Sequence, residues 1–145
     1  TSSPERPEPE FLRAEADYVS LAEECIRNLK NDSKKPFGNL TTSKIRNILT
    51  MVNEIYNDVI NLTDEALPPE IIDRIRHVKV RLAYEAGREQ QESGRPQDKK
   101  IKEFFERAEL IKAIDHVGSS RWKFIRYARY LEALVAYHRY HGGND

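Results

Sequence analysis

The stretch Leu40-Thr-Thr-Ser-Lys-Ile-Arg-Asn-Ile-Leu49 decides how this chain is expected to fold, because it reads as the capped start of an amphipathic helix. A hydroxyl of Thr41, Thr42 or Ser43 can accept a hydrogen bond from the free backbone amides of the first turn. Apolar side chains then recur at helical spacing, and they are Ile45, Ile48, Leu49, Val52, Ile55, Tyr56 and Val59. The pattern predicts a helix from about Thr42 to Asn61 with one buried face.

Two cations at the start of this helix lie off its apolar face. Lys44 and Arg46 stand near the positive end of the helix dipole, where a positive charge is mildly unfavourable. Helix stability therefore does not explain them, whereas an anionic partner would. Ordinary solvated surface charge is the alternative interpretation.

The rest of the chain predicts an all-α protein, a compact bundle of about five helices. Besides the helix at Thr42, periodic apolar residues predict helices over about 13–30, 69–90, 99–117 and 120–141. Polar loops rich in Gly and Pro separate several of them, including a loop at about 91–100. We expect one domain over residues 13–145, preceded at 1–12 by a proline-rich, charged tail that is disordered or foreign to the fold.

Composition excludes several classes of protein. Formal net charge is zero, so bulk charge predicts no nucleic-acid partner, but residues 121–141 hold five bases against one acid. The single cysteine, Cys25, cannot form an intramolecular disulfide, which fits a cytoplasmic protein. No apolar run approaches the roughly 20 residues of a membrane-spanning helix, so we expect no membrane contact.

No catalytic constellation, metal-ligand set or cofactor motif stands out. His138 and His141 have a spacing that can place two imidazoles on one helix face, but a third ligand is not evident. Cys25 lies on an apolar helix face, which favours a buried small hydrophobic residue over a nucleophile. We therefore expect no metal, no cofactor and no enzymatic activity.

Arginines on the third predicted helix are a better indication of function. Arg74, Arg81 and Arg88 recur every seven residues, which places them along one flank of the helix. Such a row can follow a phosphate backbone, or it can form weak ion pairs such as Arg81 with Glu85. Arg88 follows Gly87, whose missing side chain could allow a close helix crossing and a buried ion pair instead.

The last helix carries Lys123, Arg126 and Arg129 between aromatic residues, a combination that suits nucleic acid. The aromatic residues fit the border of a core stripe better than a binding surface. For the three cations we favour contact with a nucleic-acid backbone, because no acid precedes Glu132 within a helical turn of them.

Three segments, in this order and spacing, resemble the small subunit of type III-A CRISPR effector complexes, the Csm-type RNA-guided machines. They are Leu40–Asn47 continued by Val52-Asn-Glu-Ile-Tyr56, then Val80-Arg-Leu-Ala-Tyr-Glu-Ala-Gly-Arg-Glu89, then Tyr130-Leu-Glu-Ala-Leu-Val-Ala-Tyr-His-Arg-Tyr140 followed by Gly142, Gly143 and Asp145. The resemblance covers roughly residues 17 to 145. A loop at Gln91–Lys100 that is longer than expected for the family departs from it.

The resemblance implies a non-catalytic subunit that stacks with further copies of itself along a guide RNA and its target RNA, beside other effector-complex subunits. It implies backbone contacts that do not depend on sequence, first from Lys44 and Arg46, then from Arg81 and Arg88, then from Lys123, Arg126 and Arg129. Two alternatives remain open, which are the related small subunit of type III-B complexes and a helical adaptor that binds only protein.

Overall fold

The computed structural model describes residues 7–31, 37–38, 40–91 and 99–143. A short 3-10 turn, Glu10–Leu12, precedes six helices. The helices are α1 (Tyr18–Asn31), α2 (Thr42–Val59), α3 (Pro69–Gln91), α4 (Ile101–Arg107), α5 (Leu110–Val117) and α6 (Arg121–Tyr140). Within these ranges the only β pairing is an isolated bridge between Ala66 and Ser120. The all-α prediction is confirmed, with six helices in place of five.

Helix α6 lies at the centre and packs mainly against α2 and α1, while α3 joins α2 to the pair α4 and α5. The apolar faces of α2, α3 and α6 meet in one core, where Ile48, Leu82 and Leu134 are all buried. Full burial of such a side chain contributes about 1.5–3 kcal/mol, so these faces hold the helices together. This shared core is what a compact helical bundle requires.

The N-terminal boundary differs from the prediction. Helix α1 begins at Tyr18 because the Asp17 carboxylate accepts the Ser20 amide at 3.1 Å and its hydroxyl at 2.7 Å, as an N-cap does. Phe11 and Leu12, which the sequence placed in the tail, are buried, and the Phe11 ring stacks on Tyr130 with centroids 3.8 Å apart. The folded part therefore includes these two residues, while residues 1–6 lie outside the described ranges.

The predicted fourth helix is divided into α4 and α5. Glu109, between them, adopts the left-handed conformation with φ 57°, which is unfavourable for a residue other than glycine. Tertiary packing holds the break, because Leu110 is fully buried and its carbonyl accepts the Tyr127 hydroxyl at 3.0 Å. No Gly or Pro marks this point in the sequence.

Long-range side chains cap two of the helices. Lys100 stands at the N-cap of α4 without a side-chain cap bond, and the buried Glu89 carboxylate of α3 accepts the amides of Ile101 at 2.7 Å and Lys102 at 3.2 Å instead. Glu89 thus joins the end of α3 to the start of α4, the two helices that flank the long loop. Residues 92–98 of this loop lie outside the described part. Glu65 similarly accepts the Trp122 amide at the start of α6.

Candidate nucleic-acid interface

A groove of about 310 Å³ opens between α2 and α3. Its wall on α2 comes from Lys44, Asn47, Ile48 and Met51, and its wall on α3 comes from Arg81, Glu85 and Arg88. The start of α2 faces the end of α3 here, so the two helices run antiparallel. The α2–α3 groove therefore brings Lys44 of α2 together with Arg81 and Arg88 of α3, and all three are predicted site residues.

Local sequence explains how each wall is aligned. Thr41 caps α2 by accepting the Lys44 amide at 3.3 Å, and this fixes the first turn from which the Lys44 side chain projects. On α3, Arg81 and Arg88 stand seven residues apart, nearly two turns, which separates them by about 10 Å along the axis. Each helix is rotated about its axis so that its apolar side chains, such as Ile45 and Leu82, are buried in the core.

Among the described residues that line the groove, one carboxylate faces the cations. Glu85 Oε1 lies 3.8 Å from Arg81 and 4.0 Å from Arg88, so the ion pairing proposed from sequence for Arg81 is present. The side chains of both arginines are about half exposed, at 49% and 55%, which makes these pairs weak. The described lining residues thus carry an excess of positive charge, three cations to one carboxylate.

The sequence interpretation of Arg88 as a buried ion pair at a close helix crossing is wrong. Its side chain is 55% exposed. A Cβ built on Gly87 would meet no atom of the described residues within 4 Å, so no helix of this part of the chain crosses there. Arg88 also suits the C-terminal end of α3, where the helix dipole favours a cation.

Arg46 is exposed on α2 and does not line the α2–α3 groove. Neither Lys44 nor Arg46 has a carboxylate within ion-pair distance among the residues that the structure describes. Arg74, the first arginine of the flank row, contacts Asp58 of α2 at 2.6 Å near the other end of the helix pair. The row is therefore divided, with Arg81 and Arg88 in the groove and Arg74 outside it.

The cations of α6 make contacts within the chain. Lys123 Nζ lies 2.7 Å from Glu8, so the expected absence of a nearby acid does not hold. Arg126 donates to the carbonyls of Phe11 and Arg13 at 2.9 Å each. These two cations hold the N-terminal segment against the bundle.

Aromatic rings complete the environment of Arg126. Its guanidinium lies 4.9 Å from the Tyr18 ring and 5.2 Å from the Trp122 ring. Arg129 is exposed and donates weakly to the Tyr56 hydroxyl at 3.4 Å. Tyr127 and Tyr130 lie inside the core and not at its border, while Tyr137 is partly buried against it.

The groups that invited a catalytic or metal-binding interpretation have structural partners. Burial raises the pKa of the Cys25 thiol to about 12, so it remains protonated and poorly nucleophilic at neutral pH. His138 is buried, and its Nε2 donates to the Leu40 carbonyl at 2.9 Å while Nδ1 accepts the Thr42 hydroxyl at 3.2 Å. His141 lies 3.0 Å from Glu23.

Across the described ranges, no three His, Cys, Asp or Glu side chains are grouped as a metal site would require. In the same ranges, no helix is both long enough and apolar enough to cross a membrane.

Sequence reasoning missed one acid that decides how the cations are used, Glu8, and recognised another, Glu85, only in part. Glu8 lies in the segment that was excluded from the fold, and only its packing reveals the pair with Lys123. Glu85 was recognised as a partner of Arg81, but its contact with Arg88 three residues later was not. Helical i,i+3 spacing carried that second signal.

The chain is similar to proteins of one family. A family model described as Csm2 of type III-A matches residues 14–144. The CRISPR system Cms protein Csm2 of Enterococcus italicus is 36% identical over 111 residues, which cover 75% of this chain and 73% of that protein. The protein of the same name from Mycobacterium tuberculosis is 32% identical over 124 residues, with 86% and 90% covered. That from Streptococcus thermophilus is 33% identical over 136 residues, with 92% and 98% covered.

Proposed function

The chain belongs to the Csm2 family of type III-A CRISPR systems, and on this premise we propose that it is a non-catalytic small subunit that contacts the backbone of guide or target RNA without reading sequence. Its partners are those RNAs, other subunits of the effector complex and further copies of itself. The family assignment also decides between the type III-A and type III-B small subunits in favour of the first.

The α2–α3 groove is the observation that carries the proposal. Lys44, Arg81 and Arg88 come from two helices and open onto one surface, where Glu85 is the single carboxylate among the described lining residues. Ammonium and guanidinium groups on such a surface suit phosphate oxygens. Arg46, exposed on the same first turns of α2, extends the cationic surface beyond the groove.

These cations are suited to holding a strand and not to choosing its sequence. Phosphate contacts fix position and orientation but carry no sequence information, which base pairing supplies in RNA-guided recognition. A formal net charge of zero and exposed ion pairs in the groove predict weak binding by one copy. Several copies along one RNA would raise the overall affinity by acting together.

The remaining cations of the predicted site differ in how available they are to RNA. Arg129 is exposed and can still reach a phosphate, whereas Lys123 and Arg126 serve first to hold residues 8–13. Replacing Arg126 should therefore lower stability as well as any RNA affinity. Replacing the groove cations should instead weaken RNA binding and leave stability unchanged.

RNA binding across a range of salt concentrations tests the proposal. Effector complexes that carry Lys44→Gln with Arg46→Gln should bind target RNA more weakly and with a shallower salt dependence, by ~0.7 in slope for each phosphate that is no longer neutralised. The matched control is Arg27→Gln, which removes an exposed cation of α1 that pairs with Glu23 outside the groove.

Normal incorporation of the variant subunit with unchanged affinity and slope would contradict the proposal for Lys44 and Arg46. Unchanged binding after Arg81→Gln and Arg88→Gln as well would favour an adaptor that binds only protein.

The absence of turnover is tested separately, because purified chain incubated with RNA and a divalent metal should leave the RNA intact. Cleavage that persists through repurification would overturn that part.

A further inference from the structure

Gly87 lies within α3, where glycine destabilises a helix relative to alanine. It has regular helical backbone, is exposed, and meets no atom of the described residues within 4 Å of its Cβ position. Neither backbone conformation nor packing in this part of the chain therefore requires a glycine. Among the described residues nothing requires close approach to the helix at this point, so such a requirement would come from outside them, as from another molecule.

Gly87 belongs to a second apolar strip on α3, which faces away from the core. Val80, Ala83, Tyr84 and Gly87 have the i, i+3, i+4, i+7 spacing of a contact face, and all four are exposed. Tyr84 is 55% exposed and Val80 56%. We call these four residues the outer strip. Its two small residues leave the helix backbone accessible beside a large aromatic ring.

The charges beside the outer strip indicate the kind of partner. Arg81 and Arg88 border it and also line the α2–α3 groove, so the strip continues that cationic surface. The Arg81 guanidinium lies 5.4 Å from the centre of the Tyr84 ring. A second copy docked through the same strip would set these arginines against their own counterparts. A polyanionic strand meets no such repulsion.

We propose that the outer strip binds an unpaired nucleotide of the RNA whose phosphates occupy the α2–α3 groove. The base stacks on Tyr84, and the ribose passes over Ala83 and Gly87, where no larger side chain blocks it. Stacking on an aromatic ring tolerates any base, which matches a subunit that does not read sequence. This inference rests on the proposed RNA contact and adds that the strand is single at this point.

The test compares RNA with a strand that lacks bases. The whole 145-residue chain is titrated at low salt with a short unstructured oligoadenylate and with an abasic ribose-phosphate oligomer of the same length. Tyr84→Leu should weaken oligoadenylate binding on the order of tenfold and leave the salt slope unchanged, because the variant carries the same charge as the parent. The abasic strand should bind the Tyr84→Leu variant and the parent chain equally.

Two further variants separate stacking from a general defect. Tyr84→Phe keeps the ring and should restore binding, and Tyr140→Leu removes a 78% exposed tyrosine at the end of α6 as the matched control. Gly87→Leu should fold normally, since nothing described lies within 4 Å, yet weaken binding of both strands by blocking close approach. Thermal melts of every variant check folding.

The outcomes distinguish this inference from the proposed function. If Arg81→Gln and Arg88→Gln weaken binding while Tyr84→Leu does not, or weakens the abasic strand equally, the stacking site is refuted and the backbone contact stands. If no variant affects RNA but Tyr84→Leu prevents incorporation into the effector complex, the strip binds protein and the inference is refuted. If the parent chain binds neither strand, alone or in the complex, both proposals fail.

Discussion

Glu85→Gln should strengthen RNA binding, because it removes the carboxylate that, among the described residues, competes with phosphate in the α2–α3 groove. Glu85 lies 3.8 Å from Arg81 and 4.0 Å from Arg88, and both arginine side chains are about half exposed. Exposed pairs at i,i+3 or i,i+4 contribute about 0.2–0.5 kcal/mol each, once screening by solvent is included. An arriving phosphate must displace both.

Removing the two pairs should therefore favour binding by about 0.4–1 kcal/mol, which corresponds to an affinity gain of about two- to fivefold. Fluorescence anisotropy with labelled RNA at several salt concentrations can resolve a change of this size. The gain should shrink at high salt because every interaction involved is screened.

The control must remove the same charge elsewhere. Glu54→Gln does so on an exposed position of α2 that does not line the groove, and it should change affinity less than Glu85→Gln does. An affinity for Glu85→Gln that equals the control would mean that phosphate does not enter the groove. A lower affinity would mean that Glu85 orients Arg81 and Arg88 productively, which would refute the competition argument.

Three further predictions concern stability and are checked by denaturant unfolding. Glu89→Gln should destabilise the fold by about 1–3 kcal/mol, because the buried carboxylate accepts two backbone amides of α4 and the side-chain amide of Gln cannot accept both amides equally well. Hydrogen exchange in this variant should be fastest in α4. Gly87→Ala should stabilise it by about 0.5–1 kcal/mol, and a loss of stability would reveal a hidden contact. Burial lowers the pKa of His138 in the folded state, so below about 6.5 the unfolded chain binds more protons and stability falls as pH drops. His138→Gln keeps both hydrogen-bond roles without titrating and should flatten this dependence, and an unchanged pH profile would contradict the assignment.

Local pattern determined the helices and their inner faces. Periodicity in α2, α3 and α6 predicted which residues are buried, because residues spaced by about 3.6 positions lie on the same face of a helix whatever that face packs against. Thr41 was among the proposed caps of α2, and it accepts the backbone amide of Lys44. The break at Glu109 and the burial of Phe11 could not be read this way, because distant partners stabilise both.

For the candidate site, sequence supplied the cations and tertiary structure decided their grouping. Spacing alone placed Arg81 and Arg88 on one flank of α3, since residues seven apart nearly superimpose along a helix. Only the antiparallel packing of α2 on α3 set Lys44 opposite them, and only the return of residues 8–13 onto α6 engaged Lys123 and Arg126 within the chain. Such contacts join residues from 37 to 115 positions apart, and their energy depends on distance in space, which sequence spacing does not encode beyond one helix.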